Sequence, residues 1–306
     1  MADIVTFTLN PSVDVSTSVE RVAPFHKLRC TAERRDPGGG GINEARVMNR
    51  FGADVMAMYP AGGAIGQLLG RLLDQEGLVG LITPIAEETR EDVTVLERLT
   101  GRQYRFVLPG PQLTESEWGA CFEAFTSLDQ RARFVIGSGS LPPGVPDEFY
   151  GLVAQKAKQA GRKFVADTSG APLKAALEAG VYLIKPSLRE FRVLMGRPVE
   201  SHTELTAACR SLAESGQAEI VALTLGEQGA LLVTHDQVLG AQASDQAGQR
   251  GGRRGQFPGS HDLESRIRAR AGHRLSIWDG GRIGGTARAR NRTMPERERR
   301  ASARFG

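Results

Sequence analysis

Four consecutive glycines, Gly38-Gly39-Gly40-Gly41, follow Pro37 and run into Ile42-Asn43 and an amphipathic stretch carrying Ala45 and Arg46. Glycine lets a backbone approach a ligand closely, and a helix that opens there presents unpaired N–H groups to polar oxygens. A bare glycine run is ordinarily a surface turn. This one opens directly into a helix with an amide at its entry, which favours ligand contact along the run. Asn43 can cap that helix, hold a ligand, or do both. Asp14, in Leu9-Asn10-Pro11-Ser12-Val13-Asp14, follows the first apolar run. A carboxylate there can accept ligand hydroxyls or be a plain loop acid.

Four further polar turns each leave an apolar run: Gly137-Ser138-Gly139-Ser140, Asp167-Thr168-Ser169-Gly170, Lys185-Pro186-Ser187-Leu188-Arg189-Glu190 and Thr224-Leu225-Gly226-Glu227-Gln228-Gly229. In an open α/β sheet the carboxyl ends of the strands are where ligands bind. Ser138 offers a hydroxyl to a substrate. Lys185 and Glu190 offer a cation and a carboxylate suited to phosphate and metal, and the Thr224 block is a ligand-lining glycine turn or a tight hairpin.

The elements that must position these groups follow from periodicity. Ile4–Leu9, Val55–Tyr59, Phe134–Ile136, Lys163–Asp167, Tyr182–Lys185 and Ile220–Thr224 read as strands, and Ile42–Phe51, Ile65–Glu76, Pro146–Gln159, Ala171–Ala179 and Glu204–Ser215 as helices. This alternation predicts a doubly wound, mostly parallel α/β sheet with helices on both faces. Residues 12–36 and 88–108 break the rhythm; their alternating patterns predict a small β lid of antiparallel strands. After Val233 neither period continues, so the domain is expected to span 1–240, with 241–306 a separate tail.

Composition divides the chain at the same place. Residues 241–306 hold 15 Arg, no Lys, no Val and six acidic residues, so the tail carries +9 and the body −5 of a total of +4. The tail has too little apolar surface to offset its ordering entropy and is expected to be disordered or non-native. Cys30, Cys121 and Cys209 match no zinc or disulfide spacing and read as reduced thiols. No signal-peptide pattern opens the chain and no apolar stretch approaches membrane-spanning length, which predicts a soluble cytoplasmic protein with no membrane partner.

The blocks TLNPSVD, HKLRCTA, PGGGGINEAR, GRQYRFVLPG, GSGSLPPGV, LIKPSLREF and TLGEQGALLV, in this order, resemble the PfkB or ribokinase family of carbohydrate kinases, and within it the minor 6-phosphofructokinase branch. The resemblance covers residues 4 to about 240. It implies a ribokinase-like fold that dimerises through its lid, and transfer of phosphate from ATP, with magnesium, to fructose 6-phosphate; fructose 1-phosphate and tagatose 6-phosphate are the alternatives. By this resemblance Asp14, Gly39, Gly40 and Asn43 would hold sugar hydroxyls. Lys27 and Arg29 would lie in the lid, and Arg90 would meet the sugar phosphate, with Arg105 a second candidate for it. Lys185, Ser187 and Glu190 would border the nucleotide and its magnesium, and Thr224, Gly226 and Gly229 would line the ATP groove. Two residues depart from the family pattern: Ser187 where Asn is usual, and Glu44 where a small apolar residue is usual.

Phosphoryl transfer also needs a base for the acceptor hydroxyl and N–H groups for the developing charge. The family supplies both at a GAGD helix start, and no GAGD occurs in this sequence. An Arg/Gly string, Ser244 to Phe257, stands there instead. Read one base later, the codon classes of Asp245–Gly248 permit IKPV, those of Gln249–His261 permit SAVGAGDSFLGAM, and those of Ser276–Gly285 permit AFGMAAGSAA. These strings resemble the family's catalytic helix and the helix after it. The inference is a one-base frame change near Ala243, with the lost aspartate opposite Gly255 and no catalytic base in the chain as written. Two competing readings are a catalytically dead domain that still binds sugar phosphate and nucleic-acid binding by the Arg-rich tail. The tail lacks aromatic interleaving for base stacking, which weighs against nucleic acid.

Overall fold

The computed structural model describes residues 2–128 and 131–242 and, as backbone, 276–279. The chain runs β1 (Ile4–Phe7), β2 (Ser12–Val19), β3 (Arg34–Gly38), α1 (Gly40–Arg50), β4 (Val55–Ala61), α2 (Gly63–Gln75), β5 (Val79–Pro84), β6 (Arg90–Glu97), β7 (Gln103–Phe106) and α3 (Glu115–Thr126). It continues through β8 (Phe134–Ser138), α4 (Phe149–Gln159), β9 (Lys163–Asp167), α5 (Gly170–Ala179), β10 (Val181–Ile184), α6 (Leu188–Met195), α7 (His202–Glu214), β11 (Ala218–Thr224), β12 (Ala230–Val233), β13 (Val238–Gln242) and β14 (Ser276–Asp279). The main sheet has the order β14-β13-β12-β11-β10-β9-β8-β1-β4-β5. Neighbours from β11 to β5 are parallel; β12, β13 and β14 add on antiparallel.

Two hydrophobic cores flank this sheet, and β4 shows why its strands read as apolar runs rather than alternating ones. Met56 and Met58 join one core with Phe7, Phe125, Phe149, Tyr150 and Phe164. Val55, Ala57, Tyr59 and Ala61 join the other with Ile42, Ala45, Leu69 and Leu73. α1 and α2 therefore cover one face with residues spaced three and four apart, while α3, α4 and α5 cover the other. Each large side chain so buried contributes about 1.5–3 kcal/mol.

The lid is a second sheet of order β3-β2-β6-β7. Its outer pairs, β2–β3 and β6–β7, are antiparallel as expected. Its central pair corrects the expectation: β2 and β6 are parallel over eight residue pairs, from Ser12↔Arg90 to Val19↔Glu97. β2 follows β1 and β6 follows β5, and both leave the same edge of the main sheet, so they enter the lid in the same direction.

Element boundaries shift by a few residues where tertiary contact overrides pattern. α1 starts at Gly40 rather than Ile42. β5, α3 and α6 emerge where no element was expected, α3 and α6 each behind a capping box, Thr114/Glu117 and Ser187/Glu190. The expectation of no strand beyond Val233 is also corrected. A turn closed by Thr234 N–H to the Gln237 carbonyl starts β13, and β14 pairs with it from Leu239↔Asp279 to Gln242↔Ser276. The rest of the tail, with Gly255 and the Ser244–Phe257 string, lies outside the described residues. Among those described, no helix is long and apolar enough to cross a membrane.

At Gly40 the backbones of α1 and the β8 exit touch. A Cβ there would overlap Ser138 Oγ and lie 3.0 Å from the Gly139 nitrogen, whereas one at Gly119, within α3, would meet nothing within 4 Å. Gly40→Ala should cost about 1–3 kcal/mol by overpacking. Gly119→Ala should be neutral or gain up to about 1 kcal/mol from helix propensity. Urea unfolding of the two variants checks this, and equal destabilisation would contradict it.

Candidate functional site

β3 delivers the glycine run from the lid to the sheet edge. Gly39 is the N-cap of α1, at φ 110°, and no side chain caps the helix, so the first-turn N–H groups remain for a ligand. Asn43 is therefore not the cap: it lies within α1, exposed, its N–H bonded to the Gly39 carbonyl and its Oδ1 accepting from Arg46 Nη1 at 3.2 Å. Arg46 also donates to the Pro37 carbonyl at 3.0 Å and holds Glu76 at the end of α2 through Nε at 2.9 and 3.0 Å. Burial alone would raise the Glu76 carboxyl, but Arg46 and Arg50 hold it below its ordinary range. The glycine run is thus anchored at Pro37 and Asn43 by one guanidinium. Asp14, half-buried on β2, accepts from Ser12 Oγ at 2.8 Å, and Ser12 pairs with Gly38 in the lid register.

Arg90 opens β6. Its Nη1 donates to the Leu108 carbonyl at 2.6 Å and lies 3.5 Å from Asp92 Oδ1, and its Nη2 donates to the Asn10 carbonyl at 3.1 Å; its Nε is buried without an acceptor. It lines a cleft of about 580 Å³ with Asn10, Leu108, Pro109, Ser140 and Asp147. Asn10 Nδ2 ties that cleft together, donating to the Pro109 carbonyl at 2.9 Å and to Ser140 Oγ at 3.2 Å. Asn10 and Ser140 are site residues that sequence reasoning missed, although both sit in polar turns directly after strands. Lys27, Arg29 and Arg105 behave differently: all three are exposed on the lid, the first two in the β2–β3 connection and the third on edge strand β7. Among the described residues none of the three forms an ion pair.

The second half of the site gathers at the ends of β8 to β11. Ser138 is 1 % exposed, under Gly40, so its hydroxyl belongs to the floor of the loop rather than to an open surface. Gly139 N–H donates to the Asp167 carbonyl at 3.0 Å and Thr168 Oγ1 to the Gly139 carbonyl at 2.9 Å, which locks the two turns together. Lys185 pairs with Asp167 at 3.0 Å, a partner not singled out from sequence. Thr224 N–H and Oγ1 both reach the Pro186 carbonyl, at 3.0 and 3.3 Å. The glycine block after Thr224 is a tight hairpin, with Leu225 N–H on the Gly229 carbonyl and both Gly226 and Gly229 at positive φ. Ser187 and Glu190 have an identified structural role: Ser187 N–H and Oγ both donate to Glu190 Oε2 at 2.8 Å, and Ser187 Oγ accepts from Glu190 N–H. That capping box leaves the second carboxylate oxygen of Glu190 for another partner. Among the described residues no cluster of three or more acidic, His or Cys side chains could hold a metal. One carboxylate oxygen, supplemented by water and phosphate oxygens, nonetheless suits magnesium.

Glu44, on the first turns of α1, brings a carboxyl into this floor. It lies beside Ser138, Asp167 and Lys185, and its Oε2 is buried. Burial raises its pKa most, and the neighbouring Asp167 raises it further; Lys185 and the Ser138 hydroxyl oppose this, and the result is about 8 from an ordinary 4.5. The sign of the linkage is opposite to that of a paired surface acid. Between about pH 4.5 and 8 the folded protein keeps the proton that the unfolded chain has lost, so stability falls as pH rises through this window. Glu44→Gln should flatten that decline and exceed the parent in stability by a few kcal/mol near pH 8, since a tenfold change in proton affinity is worth about 1.4 kcal/mol. Thermal unfolding from about pH 5 to about pH 8.5 measures it, and parallel curves would refute it.

Comparison with known proteins agrees with this geometry. Residues 7–247 match the model for the pfkB family carbohydrate kinases. An ATP-dependent 6-phosphofructokinase isozyme 2 of Mycobacterium tuberculosis is 46% identical over 231 residues, 76% of this chain and 68% of the relative. A 1-phosphofructokinase of Xanthomonas campestris is 32% identical over 239 residues, 77% of this chain and 75% of the relative. The structure of Escherichia coli phosphofructokinase-2 in complex with fructose-6-phosphate superposes with a TM-score of 0.77 at 36% identity, covering 82% of this chain and 83% of that one. A glycine run where the lid meets the main sheet, a cleft lined by Arg90 and these similarities together establish that the chain belongs to the pfkB family of carbohydrate kinases.

Proposed function

We propose that residues 1–240 bind fructose 6-phosphate between the glycine run and the lid, and ATP along the Lys185, Ser187, Thr224, Gly226 and Gly229 side. The family is one of phosphotransferases acting on an alcohol group, and phosphofructokinase relatives make this a sugar-phosphate kinase domain. The observation that carries the substrate is Arg90: its guanidinium is fixed by the Asn10 and Leu108 carbonyls, yet its buried Nε has no acceptor. A phosphate oxygen supplies what that N–H lacks. Higher identity to the 6-phosphofructokinase relative than to the 1-phosphofructokinase favours fructose 6-phosphate over fructose 1-phosphate. Asp14 and Asn43, at the glycine run, would take the sugar hydroxyls. Lys27, Arg29 and Arg105 reach the substrate only if the lid closes on it.

Magnesium would sit on Glu190 through the oxygen that the capping box leaves, where it would neutralise phosphate charge. Exposed Phe25, Leu28, Leu99, Phe106, Val107 and Leu108 on and beside the lid support a homodimer formed through it. An ATP-consuming sugar-phosphate kinase agrees with a cytoplasmic location. The chain as written has no GAGD aspartate, and we infer that it binds without turning over, while the frame restored at Ala243 regains the base opposite Gly255.

Coupled-enzyme assays of both frames with fructose 6-phosphate, fructose 1-phosphate and tagatose 6-phosphate test this. The restored frame should turn over fructose 6-phosphate, and the literal chain should be slower by at least the roughly 10²–10⁴-fold that general-base catalysis contributes. Comparable rates would overturn the frame account.

In the restored enzyme Arg90→Ala should raise KM for the sugar phosphate about ten- to a hundredfold, the worth of a hydrogen bond to a charged group. KM for ATP should be nearly unchanged. Equal effects on both substrates would remove Arg90 from the phosphate site.

A further inference from the structure

The glycine run and the nucleotide side are joined by a group that family resemblance does not explain, the Glu44 carboxyl. Three elements meet around it: α1 carries Glu44, the end of β9 carries Asp167, and the turn after β10 carries Lys185. Lys185 Nζ is 3.0 Å from Asp167 Oδ2 and roughly half exposed, so it faces the cleft as well as the acid. Tyr150 of α4 is the remaining titratable neighbour. Its hydroxyl is committed to the Ser138 carbonyl at 3.3 Å, and burial, with Glu44 and Asp167 nearby, pushes its pKa far up, so it stays neutral. On α1 itself, Arg46 is engaged by Glu76. The local charge balance is therefore set by Glu44, Asp167 and Lys185.

An ionised Asp167 can only accept a hydrogen bond, and so can an ionised Glu44. Side by side they repel unless one of them holds a proton, and the burial of Glu44 makes a charge there costly. With the proton present, Lys185 faces one negative charge and the trio is neutral. With the proton gone, Lys185 faces two, and its attraction for an incoming anion is cancelled.

We propose that Glu44 is a positioning residue that makes binding of a polyphosphate anion at Lys185 proton-linked: the Glu44–Asp167 pair must share one proton for Lys185 to serve the anion. This rests on the reading of Lys185 as part of the nucleotide side. Linkage is reciprocal, so the bound anion strengthens the hold on the proton by the same factor by which the proton strengthens the anion. Unit charges a few ångströms apart near a protein surface interact strongly enough for about a tenfold effect or more.

The test uses the full chain and its Glu44→Gln and Glu44→Val variants, with ATP and inorganic tripolyphosphate as probes, by titration calorimetry from about pH 6.5 to about pH 9. The parent should lose about tenfold in affinity between about pH 7 and 9 relative to Glu44→Gln, which keeps a donor to Asp167 at every pH. Near pH 8 the parent should take up part of a proton per anion bound, read from the dependence of the heat on buffer ionisation enthalpy, and both variants should take up less. Glu44→Val separates charge from hydrogen bonding and serves if the Gln variant does not fold. Parallel pH profiles with tight ATP binding would sink this inference and leave the nucleotide reading standing. ATP and tripolyphosphate bound by none of the three proteins at any pH would sink both.

Discussion

Everything at the site depends on one close approach, that of α1 to the strand exits beneath it. At Gly40 no side chain fits between the start of α1 and Ser138–Gly139. That contact is what allows the chain to leave the lid at Gly38 and enter a helix at Gly40 within two residues. It aims the uncapped first turn of α1 across the ends of the parallel strands. Arg46 then holds the Pro37 carbonyl, Asn43 and Glu76 at once, which ties helix, loop and α2 together. The lid inherits its position from the same place, because β2 and β3 pair up to Ser12↔Gly38.

Packing this tight makes the character of each buried polar group consequential. Thr6 and Thr8 carry hydroxyls with no partner under the glycine run, and Glu44 adds an acid beside Ser138 on the same floor. A small apolar side chain at position 44 would leave the Asp167–Lys185 pair as a simple ion pair. With Glu44 present, the pair becomes part of a three-group system whose net charge depends on one proton. Because the folded state favours the neutral acid, the residue opposes stability at neutral and alkaline pH while keeping Lys185 available below it. A residue that costs stability at a site floor is more economically read as functional than as structural.

Much of this was legible in the sequence because the parallel sheet is strongly patterned. β4 reads as a run of seven buried residues, and alternate ones feed different cores, a signature that only a sheet covered on both faces produces. Asp14, Lys185 and the Thr224 turn stood out because each follows or ends a strand, the glycine run because it opens into a helix, and Arg90 through the family resemblance. What stayed hidden depends on three-dimensional pairing. Nothing local says that Lys185 meets Asp167, that Asn10 bridges to Ser140 across 130 positions, or that Glu44 meets both Asp167 and Ser138. The direction of β2 relative to β6 is likewise set by where each strand leaves the main sheet, not by its own residues. Asn43 misled as a cap because an amide at a helix entry is a strong N-cap signal, and here the positive φ of Gly39 moved the start of the helix upstream.

On the proposed reading, recognition and transfer call on different parts of the fold. The groups that would recognise a sugar phosphate and a nucleotide come from β1 to β12 and the turns between them, all within the described body. The base and the N–H groups that would drive transfer belong, in this family, to a segment after β13, and in this chain that stretch is Arg- and Gly-rich with no GAGD. The sheet does continue past β13 through β14, whose pairing Leu239↔Asp279 joins a strand from beyond the composition break to the hairpin that borders the nucleotide side. On the proposed reading the recognition surface is built by strand exits and the transfer chemistry by a helix start that the sequence as written does not encode. On that reading a body without the helix start would still discriminate among phosphorylated ligands, with Arg90 and Lys185 as its anion partners and Glu44 as the group through which pH acts.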